Sequence, residues 1–281
     1  MRGIAISIIF FLAGYVHSDC SPAKDPSRIA VAGGSITEFI YLLKKDVQII
    51  AVDTTSNYPK QTSGLPSIGY VRNLSAEGIL SLKPTLILGE HDMGPPEVLN
   101  QLEKVSVEVK RIEERQSAMG IVEKFECIAK ILNVPTSESE YLKENLLAFA
   151  TNLEKIRRVG TKRPRVALIL SFIDGSPILA GNATSGDGVL KMIGATNVFS
   201  DIDGWKPATR ESLLEKNPDY IVITERGLKA QGGMAGLEKN PALRLTSAVK
   251  EKNVYALDGM ALLGFGPRTL ETAISLSEKL K

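Results

Sequence analysis

Histidine is scarce here: the 281 residues include only His17 and His91. That scarcity excludes a histidine-rich zinc or manganese centre. It also leaves His91 as the one base for a Ser-His-Asp site, and no Gly-x-Ser-x-Gly elbow accompanies it. Cysteine is as rare, with only Cys20 and Cys127. Cys127 sits among Ile121, Val122, Phe125, Ile128 and Ile131, apolar residues at helical spacing, and reads as a buried structural thiol. No disulfide is expected, so the core alone must hold the fold. Charge of one sign is lacking too: 34 basic and 32 acidic residues leave a formal +2. With no like-charge run, a basic nucleic-acid face is excluded. No Walker A loop occurs, and no Gly-x-Gly-x-x-Gly follows a strand.

What is present is apolar material, 43% of the chain, enough for one large core or two medium ones. Residues 1–18 read as a signal peptide, with Arg2 before the apolar run 3–13 and small residues at Val16 and Ser18. The run is short for a membrane span. Cleavage is expected near Ser18, just before Asp19. Cys20 offers a lipid-anchor alternative, but Asp19 stands where a lipobox wants Gly or Ala.

Strand-like and helix-like segments then alternate, which indicates α/β layering. Strands are expected at 28–32, 47–52, 86–88, 107–112, 165–171, 220–224 and 254–257. The Gly33-Gly34-Ser35 turn reads as a tight turn, with an anion cradle as the alternative. Ser35 and Glu38 have capping-box spacing, so a helix should run from there towards Leu43. Pro95-Pro96-Glu97 opens another helix. Further helices are expected at 186–193, 211–215 and 269–280. Residues 136–159 contain no internal Gly or Pro, begin acidic and end basic. They predict one helix of about six turns, with Tyr141, Leu142, Leu146, Leu147, Phe149 and Leu153 as its apolar stripe. The expected organisation is an N-terminal lobe over 28–135, this spine over 136–159, and a C-terminal lobe over 160–281. An internal echo supports similar lobes: Glu77 stands seven positions before Pro84, and Glu211 seven before Pro218.

The segment IGYVRNL places Tyr70 and Arg72 two apart, on one face if extended. A guanidinium beside a phenol favours phenolate, a hard ligand suited to ferric iron. Arginine also pairs with carboxylates. Spacing alone leaves open a packed tyrosine beside a solvated arginine.

The segments GYVRNLSAEGILSLKPTLIL, GPPEVLNQL, ITERGLKAQGG and ALLGFGPRTLETA resemble the haem-binding proteins of bacterial ABC haem importers. The resemblance covers nearly the whole chain from Arg28. Only Gly-Tyr-x-Arg before a Glu-led helix is specific to the haem branch; the rest is shared with binding proteins for cobalamin and ferric siderophores. It implies a class III periplasmic binding protein fold, two α/β lobes joined by a single long helix. It implies an iron-acquisition function without catalysis, capturing ferric haem b between the lobes for an inner-membrane ABC permease and its ATPase. An outer-membrane haem receptor system would stand upstream. By the same resemblance Tyr70 is the axial iron ligand and Arg72 supports the phenolate or holds a propionate. Arg226 faces the haem from the C-terminal lobe, and Glu77 and Glu211 dock on permease arginines. Arg268 matches a recurrent segment but reads as structural. The C-terminal lobe has no histidine, so a single haem is expected. His91 and Met93 are iron-ligand types on a loop without an expected role. The alternatives are cobalamin or a ferric siderophore on the same fold, and, from another class, an exported α/β enzyme using the Gly33-Gly34-Ser35 turn.

Overall fold

Ile29–Ala32 are small or β-branched apolar residues bounded by Arg28 and Gly33, and they form a fully buried strand, β1. A computed structural model describes residues 19–159 and 163–280 of the chain; the expected leader and His17 lie outside them. After β1 come α1 (Gly34–Leu42), β2 (Ile49–Val52), β3 (Gly69–Tyr70), β4 (Asn73–Leu74) and α2 (Ala76–Ser81). Then follow β5 (Leu86–Glu90), α3 (Pro96–Lys104), β6 (Glu108–Ile112) and α4 (Ala118–Ile131). The first sheet runs β2-β1-β5-β6 with every pair parallel. Helices cover both faces of such a sheet, which is why its central strands β1 and β5 are nearly continuous apolar runs. The connections turn opposite ways from β1, so a crevice opens at the carboxyl ends of β1 and β5.

The spine is α5 (Thr136–Val159), 24 residues and so about 36 Å long. Its buried stripe is narrower than predicted. Leu146, Ala150 and Leu153 are buried, whereas Tyr141 is 71% exposed and Leu147 also faces outward.

Beyond it lie β7 (Arg165–Ile173), β8 (Ser176–Ala180), α6 (Ser185–Met192), β9 (Thr196–Asn197), β10 (Trp205–Pro207) and α7 (Arg210–Lys216). Next are β11 (Tyr220–Thr224), α8 (Glu225–Ala230), α9 (Met234–Lys239), α10 (Ser247–Lys250), β12 (Val254–Leu257), α11 (Gly259–Leu263) and α12 (Pro267–Lys279). The second sheet has the order β10-β8-β7-β11-β12, with β9 on β7. Here β7, β11 and β12 are parallel, while β8 pairs antiparallel with β7 and β10 pairs antiparallel with β8. The protein is thus two α/β lobes joined by a single long helix. The lobes are not separate bodies. One apolar cluster passes from Ile29, Phe39 and Phe125 through Ala150 and Leu153 to Val166, Leu190 and Leu270.

Two expectations are corrected. Cys127 is not a free thiol: it forms a disulfide with Cys20, so a covalent bond supplements the core. Nor do Ser35 and Glu38 form a capping box. The helix begins one residue earlier, at Gly34, and its N-cap Gly33 offers no side-chain bond. Tertiary partners outcompete the local cap, since Ser35 donates to Glu90 and Glu38 binds Arg268.

Candidate functional site

Tyr70 and Arg72 stand on a hairpin over the crevice of the first lobe. Its strands β3 and β4 pair Tyr70 with Asn73, so Val71 and Arg72 make the turn. Gly69 opens the hairpin at φ +92°, and a Cβ there would lie 3.2 Å from the Asn73 carbonyl oxygen, so glycine is required. The hairpin is clamped from both sides. Thr54 N–H donates to the Gly69 oxygen at 2.9 Å, and Gly94 N–H to the Val71 oxygen at 2.9 Å. Leu74 N–H in turn donates to the Gly94 oxygen at 2.8 Å. Ile68, Val71 and Leu74 are buried beneath, while Tyr70 remains 42% exposed, leaving its ring and hydroxyl accessible.

The two side chains meet, but around a turn rather than along an extended segment. Arg72 Nη1 donates to the Tyr70 hydroxyl oxygen at 2.6 Å, and Nε donates to Asp92 Oδ2 at 2.6 Å. Partial burial works against the Arg72 charge, but the hydrogen bond and charge of Asp92 outweigh it and raise its pKa. Arg72 is therefore a fixed cation aimed at the phenol. Asp92 Oδ1 is buried without a partner, so one face of the carboxylate is committed and the other is unsatisfied. Asp92 is absent from the sequence reading, which named its neighbours His91 and Met93 instead. Met93 is 3% exposed and belongs to the core, and His91 faces outward. A pairing across twenty residues leaves no local spacing, so only the sign of the charge hinted at it.

Beneath the hairpin the crevice floor holds a buried polar cluster. Glu90 Oε1 accepts from Ser35 Oγ at 3.1 Å. Lys124 Nζ, its side chain 1% exposed, reaches Glu114 at 2.8 Å and Ser35 Oγ at 3.2 Å. Burial pushes the Glu90 carboxyl up to about 7, against the pull of Lys124 and with the help of Glu114 and Asp92. The Gly33-Gly34 amides make no free anion cradle. Gly33 N–H donates to Asp53 Oδ1 and Gly34 N–H to Thr55 Oγ1, each at 3.0 Å.

The second lobe brings Arg226 to the carboxyl end of β11, exposed on the first turn of α8. Its helix is capped by Thr224, whose Oγ1 accepts from Gly227 N–H at 3.0 Å. No hydrogen bond or ion pair joins Arg226 to the hairpin among the described residues. Glu77 and Glu211 are both exposed, each in the first turn of its helix, α2 and α7. Arg268 has a partner in the first lobe. It makes two bonds to buried Glu38, at 3.0 and 2.6 Å, and stacks 3.9 Å from the Tyr58 ring centroid. A cavity of about 440 Å³ beside this pair lies between α1, α5 and α12. None of Tyr70, Arg72 and Arg226 lines it, so volume alone points away from the chemistry.

Two lobes with a crevice of this kind define a solute-binding protein, and comparison with known proteins agrees. The chain belongs to the periplasmic binding protein family, whose model matches residues 29–261. Among solved structures, it is similar to the periplasmic heme-binding protein RhuT from Roseiflexus sp. RS-1 in apo form. The TM-score is 0.84 at 33% identity, covering 90% of this chain and 97% of that one. Among curated proteins, an uncharacterized ABC transporter substrate-binding lipoprotein, YvrC of Bacillus subtilis (strain 168), is 26% identical over 266 residues, 94% of this chain and 83% of that protein. A vitamin B12-binding protein of Pectobacterium carotovorum subsp. carotovorum (strain PC1) is 25% identical over 201 residues, 70% of this chain and 71% of that protein. The family and the RhuT structure are periplasmic by name, and YvrC is by name the substrate-binding lipoprotein of an ABC transporter, so the chain is an exported substrate-binding protein with an ABC transporter as its partner.

Proposed function

We propose that this protein captures ferric haem between its lobes and delivers it to an ABC permease, without catalysing any reaction. The observation that carries the reading is the Tyr70–Arg72–Asp92 chain. An accessible phenol receives a hydrogen bond from a cation that is itself held by a carboxylate. That arrangement presents a positioned phenol oxygen, a hard donor of the kind that ferric iron favours. The residues therefore fit haem as a cargo. Tyr70 would supply an oxygen ligand to the iron, Arg72 would fix that oxygen in place through its hydrogen bond, and Arg226 would face charged groups of the ligand from the second lobe. Exposed Glu77 and Glu211 would dock on the permease. Residues 28–135 and 160–281 would act as the two lobes about the 136–159 spine. The working compartment would be the periplasm, the leader having been removed near Ser18.

Titration of the purified protein with ferric haem tests the reading. Saturation near one equivalent, with a phenolate-type absorbance that Tyr70→Ala lacks, is expected. Absence of saturable binding would refute it. Likeness to a vitamin B12-binding protein makes cobalamin the second reading. Tyr70→Ala should then leave binding intact, because cobalamin brings a nitrogen ligand of its own besides those of its ring and needs none from the protein.

A further inference from the structure

Cys20 has two possible fates in an exported chain, and its surroundings favour one. Lipoprotein processing attaches a lipid to a cysteine sulfur and cuts immediately before that residue. Cys20 would then become residue one and Asp19 would be lost. The B. subtilis relative is named as a lipoprotein. In this chain, however, the Cys20 sulfur is bonded to Cys127 on α4, 107 positions away. Asp19 also has a structural place. Its Oδ2 lies 2.9 Å from Lys110 Nζ, and the Lys110 side chain is only 3% exposed. Removing Asp19 would leave this buried ammonium with the more distant Glu108 carboxylate at 3.5 Å. Losing one partner of a buried charge is costly.

The rest of the segment is docked rather than tethered. Lys110 Nζ also donates to Ser21 Oγ at 3.0 Å, and Lys24 N–H donates to Glu108 Oε2 at 2.8 Å. Ala23, 4% exposed, donates its N–H to the Ile131 oxygen at 2.9 Å, and Asn133 Nδ2 donates to the Ala23 oxygen at 3.3 Å. A lipid anchor needs slack between membrane and domain. Here residues 19–24 lie along β6 and the end of α4.

We propose that Cys20 and Cys127 are oxidised together after export into a clasp that fixes residues 19–24 on the first lobe, and that processing therefore cuts upstream of Asp19 rather than at Cys20. Closure joins two sulfurs, releases two thiol protons and passes two electrons to a disulfide-bearing oxidase by thiol–disulfide exchange. The proposal is independent of the ligand, so the haem titration and the experiment below fail separately.

The full chain, with its own leader, is expressed in a bacterial host that has both leader peptidase and lipoprotein machinery. The mature protein is then isolated for intact-mass measurement and alkylation. Expected is a soluble product beginning at or upstream of Asp19, unacylated, with no thiol reacting until reductant is added. An N-terminal acylated Cys20, or two thiols alkylated without reductant, overturns the proposal. The Cys20→Ser variant supplies a second reading. It should fractionate as the wild type does and melt several degrees lower, with no further response to reductant. Equal melting of variant and wild type, or membrane association that only the variant loses, overturns it as well.

Discussion

The two lobes share one construction unit, and where they depart from it the binding residues appear. In each lobe an arginine, just before β1 or first in β7, reaches the end of a distant helix. Arg28 donates to the Lys83 and Leu82 oxygens at 2.9 and 2.6 Å, and Arg165 to the Lys216 oxygen at 2.5 Å. That helix is capped by a hydroxyl, Ser75 or Thr209, and carries Glu77 or Glu211 in its first turn. It ends in a left-handed residue, Lys83 or Asn217, followed by Pro84 or Pro218 and then the strand β5 or β11. Above the carboxyl ends of the strands the likeness stops. The first lobe builds a clamped hairpin with Tyr70, Arg72 and Asp92, and its N-terminal segment is covalently pinned. The second offers Arg226 at a helix start. A repeated frame with unlike rims separates what supports the crevice from what is chosen to fill it.

The rims should differ most in ligand binding. Tyr70→Ala is expected to abolish the ferric-phenolate absorbance. Arg226→Ala should keep the spectrum and weaken haem by about tenfold, the worth of one charge-assisted contact, in the same titration. Equal losses would make the site symmetric and remove the distinction. The next effect is on stability. Reducing the Cys20–Cys127 bridge frees a long loop of 107 positions, and the chain-entropy model puts the loss at about 5 kcal/mol, measured by denaturant unfolding with and without reductant. Protection of α4 amides in hydrogen exchange should fall, with β11 and β12 little changed.

A somewhat smaller effect is pH-dependent and belongs to the first lobe. The folded Glu90 pKa, about 7, lies above its ordinary value of 4.5. A raised acid contributes stability that is fully present below 4.5 and lost as pH rises through about 7. The difference amounts to about 3 kcal/mol at most. Glu90→Gln should therefore gain stability over the wild type at pH 8 and lose that advantage near pH 4, followed by thermal melts across pH. The smallest effects fall on the shared frame. Arg28→Ala should cost about 2 kcal/mol and Arg165→Ala about 1, in proportion to their bonds. A reversed order in urea unfolding would deny that the two arginines are equivalent.

Much of this frame is legible from sequence because its signals are local. The runs 28–32, 165–171 and 220–224 are apolar and bounded, and the Glu–Pro spacing repeats. The spine announces itself by an unbroken helical stretch between Pro135 and Gly160. Strand β8 is not among the expected strands, although Asp174-Gly175 marks a tight hairpin after β7; both residues have positive φ. The site was half legible. Tyr70 and Arg72 share a local spacing, but Asp92 is joined to them only by the fold. The same holds for Cys20 with Cys127, and for Glu38 with Arg268. Each of these pairings depends on a three-dimensional path that periodicity does not encode.

The shared core has a consequence for when the chain can fold. Helix α12 holds some of the last residues to be synthesised, yet it packs against α5 and sends Arg268 to Glu38, 230 positions earlier. Contacts this distant in sequence form slowly and only after the tail has emerged. A nascent chain lacking α12 would expose the apolar faces of α1 and α5 and stay open to protease until release. For a family that functions beyond the cytoplasmic membrane, delayed completion keeps the polypeptide threadable while it crosses.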